Sequence, residues 1–485
     1  MEDSKLIYPA YTSHTRSHIE GAREHLRNDS PLLRQCSPEQ VLYHEYVEAG
    51  SPHGPVLYAV KGERWNGVSP GFLEFLNRFQ HRREFVGYAE CGYGIQKHRD
   101  FMRRLIICEH DLGTRRAPSA LDIDVGCLAM TTRMAMYDLA KVAMRHSRAL
   151  FPEKRPVALV PTPSWDYRGI FKDVGFEIVY LPIRPSNGWL PNLSEWAEII
   201  RSILERKDRH IALAVSNPQH NPTGMQWPVD VTLHLLELCA RESGYLLIDD
   251  AYYNVHDPRV PVVNHLKAVL DLFDRNGGDN FLTRSGMFER WMATRPFGKQ
   301  FSCNSMGVTA ITTSPLLLAQ LNRESWINRY HCNTHNAEVM CAWLAQPEAA
   351  DWTLETGLLY TRQKERVRDA LVRRMGWPES SVCVGPSTSY MLFEVPRVYQ
   401  SPDAGIDRFR DDLFYATGTL LCASLFNQAA PAPYVRLHLG SHPDVIEEFL
   451  RRWEAAGLHY DQPALFPGKR ALQRPVPAQG YRELA

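Results

Sequence analysis

The stretch IALAVSNPQHNPTG (211–224), followed by VTLHLLELCARESG (231–244) and YLLIDDAY (245–252), decides the fold of this chain. Residues 211–215 form a short apolar run of the kind buried on both faces of a sheet, and two Asn-Pro steps force extended backbone directly after it. Residues 231–244 repeat apolar positions at helical spacing and stop at Gly244. The run YLLI then reads as a second buried strand ending on two carboxylates, Asp249 and Asp250. Strands that alternate with helices imply crossover connections and a mostly parallel sheet.

The same alternation extends upstream. MTTRMAMYDLAKVAMRH (130–146) has helical spacing, with Thr131 and Thr132 where an N-cap belongs. VALVPTP (157–163) and FEIVYLPI (176–183) read as strands, and LSEWAEIIRSILER (193–206) as an amphipathic helix. Downstream the regularity lapses from Tyr253 to Gly298, and VTAITTS (308–314) reads as one more strand. Beyond about 335 the composition turns to helices such as RQKERVRDALVRRM (362–375) and DVIEEFLRRWEAA (444–456), with strands YMLFEV (390–395) and YVRLHLG (434–440). The expected fold class is α/β, a large domain with a mostly parallel sheet flanked by helices, plus a smaller α+β domain. The expected layout is an N-terminal arm (1–70), the N-terminal part of the small domain with a linker (71–110), the large domain (111–330), the small C-terminal domain (331–460) and a tail (461–485). The arm, which includes VLYHEYVEA (41–49) and PVLYAV (55–60), is expected to pack on something larger, such as a partner subunit.

Composition narrows the function. The 485 residues carry 55 basic and 55 acidic side chains, so no net field draws the chain to nucleic acid or to an anionic membrane. No run of about 18 apolar residues and no signal-peptide core is present, and a cytoplasmic, small-molecule enzyme is expected. The ten cysteines form no C-x-x-C pair, which offers no zinc site and makes structural disulfides unexpected.

In open parallel sheets, ligands bind outside the carboxyl ends of the strands. Four segments qualify. PTPSW (161–165) brings Trp165, an indole able to stack on a flat heteroaromatic ring. SNPQHNPTG (216–224) brings Asn221 in a turn closed by Thr-Gly. DDAY (249–252) brings Asp249 and Tyr252, and a carboxylate at the end of a buried strand needs a cation or a ligand, because an unpaired buried charge is costly. TRPFGKQF (294–301) brings Lys299, an amine suited to holding an aldehyde cofactor as a Schiff base. Farther on, Arg436 in YVRLHLG offers a fork of donors that suits a carboxylate.

Taken in order, PSW, HNPTG, DDAY, GK-x-F and YVRL closely resemble the class I/II aminotransferases of fold type I, over roughly residues 88–456. The resemblance implies pyridoxal 5′-phosphate as cofactor, with Lys299 as Schiff-base lysine and proton shuttle and Asp249 as partner of the pyridinium nitrogen. It implies Asn221 and Tyr252 on the ring hydroxyl, Trp165 stacked on the ring, and Arg436 on the substrate α-carboxylate. It also implies an α-amino acid substrate bound as an external aldimine, a stabilised Cα carbanion, and a homodimer. The family's phosphate-binding Ser/Thr and Arg are replaced here by Pro296 and Gly307, so Thr131, Thr132 and Arg133 at a helix start are expected to serve, with Arg295 as a second source of charge. A tyrosine reaching the neighbouring subunit's phosphate would be Tyr88 or Tyr93.

The leading expectation is an aminotransferase of specialised metabolism, since the arm and the 253–298 segment add material near a substrate entrance. The altered phosphate cup keeps another reading open: γ-elimination or replacement with carbon–carbon bond formation, conceivably on S-adenosylmethionine, or amino-acid oxidation by dioxygen. A catalytically silent binding protein on the same fold is the third.

Overall fold

The computed structural model describes residues 38–60, 68–79, 91–113, 122–330, 333–400, 405–422 and 433–463. In chain order these carry β1 (Leu57–Ala59), β2 (Asp124–Leu128), β3 (Arg155–Thr162), β4 (Glu177–Pro182), β5 (Arg209–Ser216) and β6 (Tyr245–Asp249). The second half adds β7 (Trp291–Pro296), β8 (Thr309–Thr313), β9 (Val382–Cys383), β10 (Tyr390–Glu394), β11 (Thr419–Leu421) and β12 (Tyr434–His438). The chain divides into two compact units, a large one of residues 67–362 with 385–389, and a small one of residues 1–66, 363–384 and 390–485.

The large unit is built on a seven-stranded sheet of order β2-β8-β7-β6-β5-β3-β4. Strands β4, β3, β5, β6 and β7 are mutually parallel, while β8 runs antiparallel to both β7 and β2. Two reversals leave β2 pointing the same way as the other five. The carboxyl ends of β2, β3, β5, β6 and β7 therefore lie along one edge, which is what brings distant sequence segments together. Strand interiors such as Leu246, Leu247 and Ile248 are fully buried, the reason YLLI shows no alternation. Leu213, Val215, Tyr245, Leu247 and Met292 share one core with the helix Thr132–Leu150 through Ala135, Leu139 and Ala143.

Two strands of the large unit's sheet were not legible in the sequence. Strand β2 follows a segment outside the described residues, and β7 lies inside the stretch that reads as irregular. That stretch is largely a crossover: the helix His265–Asp274 joins β6 to the central strand β7. The turn at Gly92 and Gly94 supports β2, since Tyr93 O accepts from Cys127 N at 2.7 Å. Gly94 has φ +89, and a Cβ there would lie 2.7 Å from the Cys127 carbonyl oxygen, so both backbone geometry and space require glycine.

The small unit has an antiparallel sheet of order β12-β10-β9 and a parallel pair, β1-β11. Its core gathers Trp377, Phe393, Phe409, Phe449 and Trp453. The layout expected from sequence needs three corrections. Residues 38–60, expected as part of an arm that packs on something larger, are built into this unit of their own chain: Leu57 and Ala59 join its core, and Tyr46 packs on Phe414 with ring centroids 4.9 Å apart. Of residues 71–110, expected to form the N-terminal part of the small domain and a linker, the described stretches 71–79 and 91–110 belong to the large unit, where Phe72 meets Trp343 at 5.4 Å. The boundary expected near 331 falls at 362/363, because the helices Thr334–Leu344 and most of Pro347–Asp369 belong to the large unit. Residues 1–37 of the expected arm and 464–485 of the expected tail lie outside the described residues. The eight described cysteines are free thiols, and among the described residues no helix is long and apolar enough to cross a membrane.

Candidate active site

Asp249, the last residue of β6, is 5% exposed and sits on the sheet face covered by the helix Thr132–Leu150. Its two carboxylate oxygens receive one side-chain donor each. Tyr167 Oη donates to Oδ2 at 2.5 Å, and Thr294 Oγ1, in register on β7, donates to Oδ1 at 3.0 Å. Burial raises the carboxyl above the ordinary carboxylate value, while these two hydrogen bonds and the charge of Lys299 act in the opposite direction. A buried carboxylate with only neutral donors beside it is incompletely compensated, and it is suited to a cationic N–H.

Lys299 lies in a single helical turn, Gly298–Phe301, just after β7. It is half-buried, and its Nζ stands 5.9 Å from the centroid of the Tyr252 ring. Gly298 is pressed on Asn304, with a virtual Cβ only 3.0 Å from its backbone, so the turn carrying the lysine is tightly wound.

Asn217 fastens two strand ends together. Its Nδ2 donates to the Asp249 carbonyl at 2.9 Å, and its Oδ1 accepts from Asn221 N at 2.9 Å. His220 ties in a third: its Nε2 donates to the Pro163 carbonyl at 2.9 Å, and its Nδ1 lies 2.7 Å from Thr223 Oγ1. Complete burial pushes this imidazole down to about 3, so it serves as a neutral strut. Asn221 and Tyr252 are buried in the same region, each a few residues beyond its strand end. Thr388 N donates to the Val255 carbonyl and Ser387 N to the Gly224 carbonyl, which closes residues 385–389 over these loops.

Trp165 is half-buried, with Tyr167 edge-on at 5.3 Å and the Arg133 guanidinium 4.5 Å from its ring centroid. Thr131 is the N-cap of the helix Thr132–Leu150, yet its side chain makes no capping hydrogen bond. The first turn therefore keeps donor capacity for an anion. Thr132 Oγ1 lies 3.3 Å from Thr309 Oγ1. Arg133 is exposed and bonded to Asp166 at 3.2 Å, an ion pair worth about 0–1 kcal/mol and easily exchanged for a ligand. At Gly307 a Cβ would stand 3.2 Å from the Met130 carbonyl oxygen, so a long side chain at that position would press on the residue ahead of Thr131.

Thus Lys299, Asp249, Tyr252, Asn221, Trp165, Thr131, Thr132 and Arg133 all stand along one edge of the large unit's sheet. Two other expectations are corrected. Arg295 faces the opposite side of the sheet from Asp249, where it pairs with Glu109 at 3.3 Å. Tyr93 is committed within the chain, donating to Asp138 Oδ2 at 2.7 Å, and Tyr88 lies outside the described residues. Arg436 belongs to the small unit, where it is buried, donates to the Val60 carbonyl at 2.8 Å and stands 4.1 Å from the Tyr390 ring centroid. Tyr167, Thr294, Asn217 and His220 were not singled out in the sequence. A strand assignment over 291–296 would have exposed Thr294 by register, whereas Tyr167, two positions after Trp165, carries no distinguishing signal.

A family model described as aminotransferase class I and II matches residues 146–401, more than half of the chain. No curated protein sequence matches. Among solved structures, a double mutant of Thermus thermophilus aspartate aminotransferase is 16% identical with a TM-score of 0.67, covering 87% of this chain and 96% of its own. Substrate-bound BacF from Bacillus subtilis is 16% identical with a TM-score of 0.67, covering 88% and 97% respectively. A Pyrococcus protein, A1, is 15% identical with a TM-score of 0.64, covering 93% and 97%. At these identities the structural likeness establishes the fold.

Proposed function

The chain belongs to the aminotransferase class I and II family, pyridoxal 5′-phosphate-dependent enzymes, and on that footing we propose that it moves the amino group of an α-amino acid to a keto acid. The observation that carries this reading is Asp249, a buried carboxylate whose only side-chain hydrogen-bond donors among the described residues are Tyr167 and Thr294. That donor set fits a protonated ring nitrogen, and the uncapped start of the helix Thr132–Leu150 fits a phosphate.

In this reading Lys299 would hold the cofactor covalently, Asp249 its ring nitrogen, Asn221 and Tyr252 its ring hydroxyl, Trp165 its face, and Thr131, Thr132 and Arg133 its phosphate. When bound, pyridoxal 5′-phosphate supplies an electron-withdrawing ring that makes the proton on the substrate Cα acidic. Asp249 would set negative charge against the ring nitrogen, and Tyr167 with Thr294 hold the carboxylate in one orientation. Lys299 Nζ moves the proton at Cα. Asn217 keeps Asn221 and Asp249 in fixed relation, so the donors to the ring do not drift apart. Arg436 is proposed to take the substrate α-carboxylate.

A cytoplasmic homodimer acting in specialised biosynthesis remains part of this proposal. The 253–298 segment no longer supports it, because most of that segment is the ordinary β6-to-β7 crossover. The support that stays is the rebuilt phosphate site with Pro296 and Gly307. The same observation favours the second reading, elimination or replacement chemistry. Amino acids, S-adenosylmethionine included, should be added singly to the yellow holoenzyme, followed by a keto acid. Transamination requires visible absorbance that falls with the amino acid and returns with the keto acid, with both exchanged products seen by mass. Substrate turnover without a keto acid acceptor would overturn it.

A further inference from the structure

At the opposite end of β6 from Asp249, the large unit has an open cleft of about 300 Å³ lined by Val142, Arg145, His146, Tyr245, Gln320 and Arg323, with Arg145 and Arg323 exposed to solvent. Tyr245 is the first residue of β6 and faces the same side of the sheet as Asp249. Val142, Arg145 and His146 stand at i, i+3 and i+4 of the helix Thr132–Leu150, one face of it, near the end remote from Thr131. Gln320 and Arg323 stand at i and i+3 of the helix Pro315–Asn328. Two helices and a strand end thus aim polar groups into one space.

We propose that this cleft binds the phosphoryl group of a small phosphate-bearing metabolite. The donors converge from three elements, and three of them, on Arg323, His146 and Tyr245, are uncommitted among the described residues. Arg323 makes no ion pair among the described residues. His146 Nε2 is a buried ring nitrogen with no hydrogen-bond partner there. Burial keeps the His146 imidazole below its ordinary value, and Arg290 adds to that, so the ring is neutral, and the tautomer protonated at Nε2 would donate to an oxyanion in the cleft. The Tyr245 hydroxyl, which has no hydrogen-bond partner among the described residues, is held protonated by burial, pushed up to about 12. Arg145 is already bonded to the buried carboxylate of Glu324 at 2.6 Å, which cancels most of its charge, so the net attraction rests on Arg323. A tetrahedral oxyanion presents three acceptor oxygens to such an array, and a planar guanidinium grips two of them. Buried Gln320 Oε1, an acceptor without a partner, suits a hydroxyl on the body of the ligand. The volume exceeds what a bare phosphate fills, which favours an ester over the free ion.

The site lies outside the candidate active site, so the test uses holoenzyme, whose cofactor phosphate already occupies the other anion position. Inorganic phosphate and glycerol 3-phosphate are titrated by calorimetry and thermal shift at constant ionic strength, with chloride as control. Expected are saturable binding at millimolar or lower concentration, tighter for glycerol 3-phosphate, with unchanged visible absorbance. Arg323→Ala is expected to weaken binding at least tenfold while leaving basal activity unchanged, and Arg323→Lys to restore part of it. Equal binding by wild type and Arg323→Ala, or no saturation by either anion, would overturn the proposal. Tighter binding of inorganic phosphate than of the ester would overturn the assignment to a metabolite.

Discussion

Asp249 and Asp250 are adjacent in sequence and end up in two opposite kinds of environment. Asp249 faces the side of Lys299 and Trp165, with Tyr167 and Thr294 as neutral donors. Asp250 faces the other side, where Arg295 pairs with Glu109, Tyr253 donates to the Glu109 carbonyl at 3.1 Å, and His110 stacks on Tyr253 at 4.0 Å. Burial pushes Asp250 up to about 8 despite the opposing field of Arg295, and His110 down to about 4. The second cluster contains its own cation and behaves as interior architecture. The first has two neutral donors, Tyr167 and Thr294, on its carboxylate, and that difference supports the proposed ligand beside Asp249.

The largest expected effect comes from removing Lys299, whose charge acts on Asp249. Lys299→Ala should lower turnover by about 10³-fold or more and abolish the visible imine absorbance, with the urea midpoint close to wild type. Retained turnover would break the assignment of the two sides. Next comes the other side: Arg295→Ala leaves half-buried Glu109 with Asn254 as its side-chain donor and removes the charge facing buried Asp250, and it should destabilise the fold by about 1–3 kcal/mol. The fraction that remains folded should still bind cofactor with the wild-type spectrum. A stable Arg295→Ala protein with a changed spectrum would mean that the two clusters are not separate.

The smallest effect sharpens the contrast by sign. The Asp249 carboxyl is raised in the folded state, so the folded protein holds that proton more tightly than the unfolded chain. In cofactor-free protein the contribution of this group is fully present below its unfolded value and is lost as pH rises through the raised one. Asp249→Asn should therefore raise the melting temperature of the cofactor-free form at pH 7.5 and flatten its pH dependence. The same variant should bind pyridoxal 5′-phosphate more weakly, by roughly tenfold to a hundredfold for a lost charge-assisted hydrogen bond. Destabilisation of the cofactor-free form would show Asp249 to be architecture like Asp250.

What the sequence by itself determined was whatever depends on local pattern. Buried strands declare themselves by uninterrupted apolar runs, so β3, β4, β5 and β6 were legible, and with them the positions of Trp165, Asn221, Asp249 and Tyr252 just past their ends. Lys299 was legible through the company of those residues. The parity of Arg295 and Thr294 was not, because β7 breaks its apolar run with Thr, Arg and Pro and is recognisable as a strand only between β6 and β8. Nor was the role of Tyr167, since an aromatic beside Trp165 reads alike whether it packs or donates to a carboxylate. Residues 38–60 joined the small unit through contacts with Phe414 and Thr419, more than 350 positions away. Tertiary structure decided these points because they turn on which side of a sheet a residue faces and on which distant segment meets it, and neither is encoded in local periodicity.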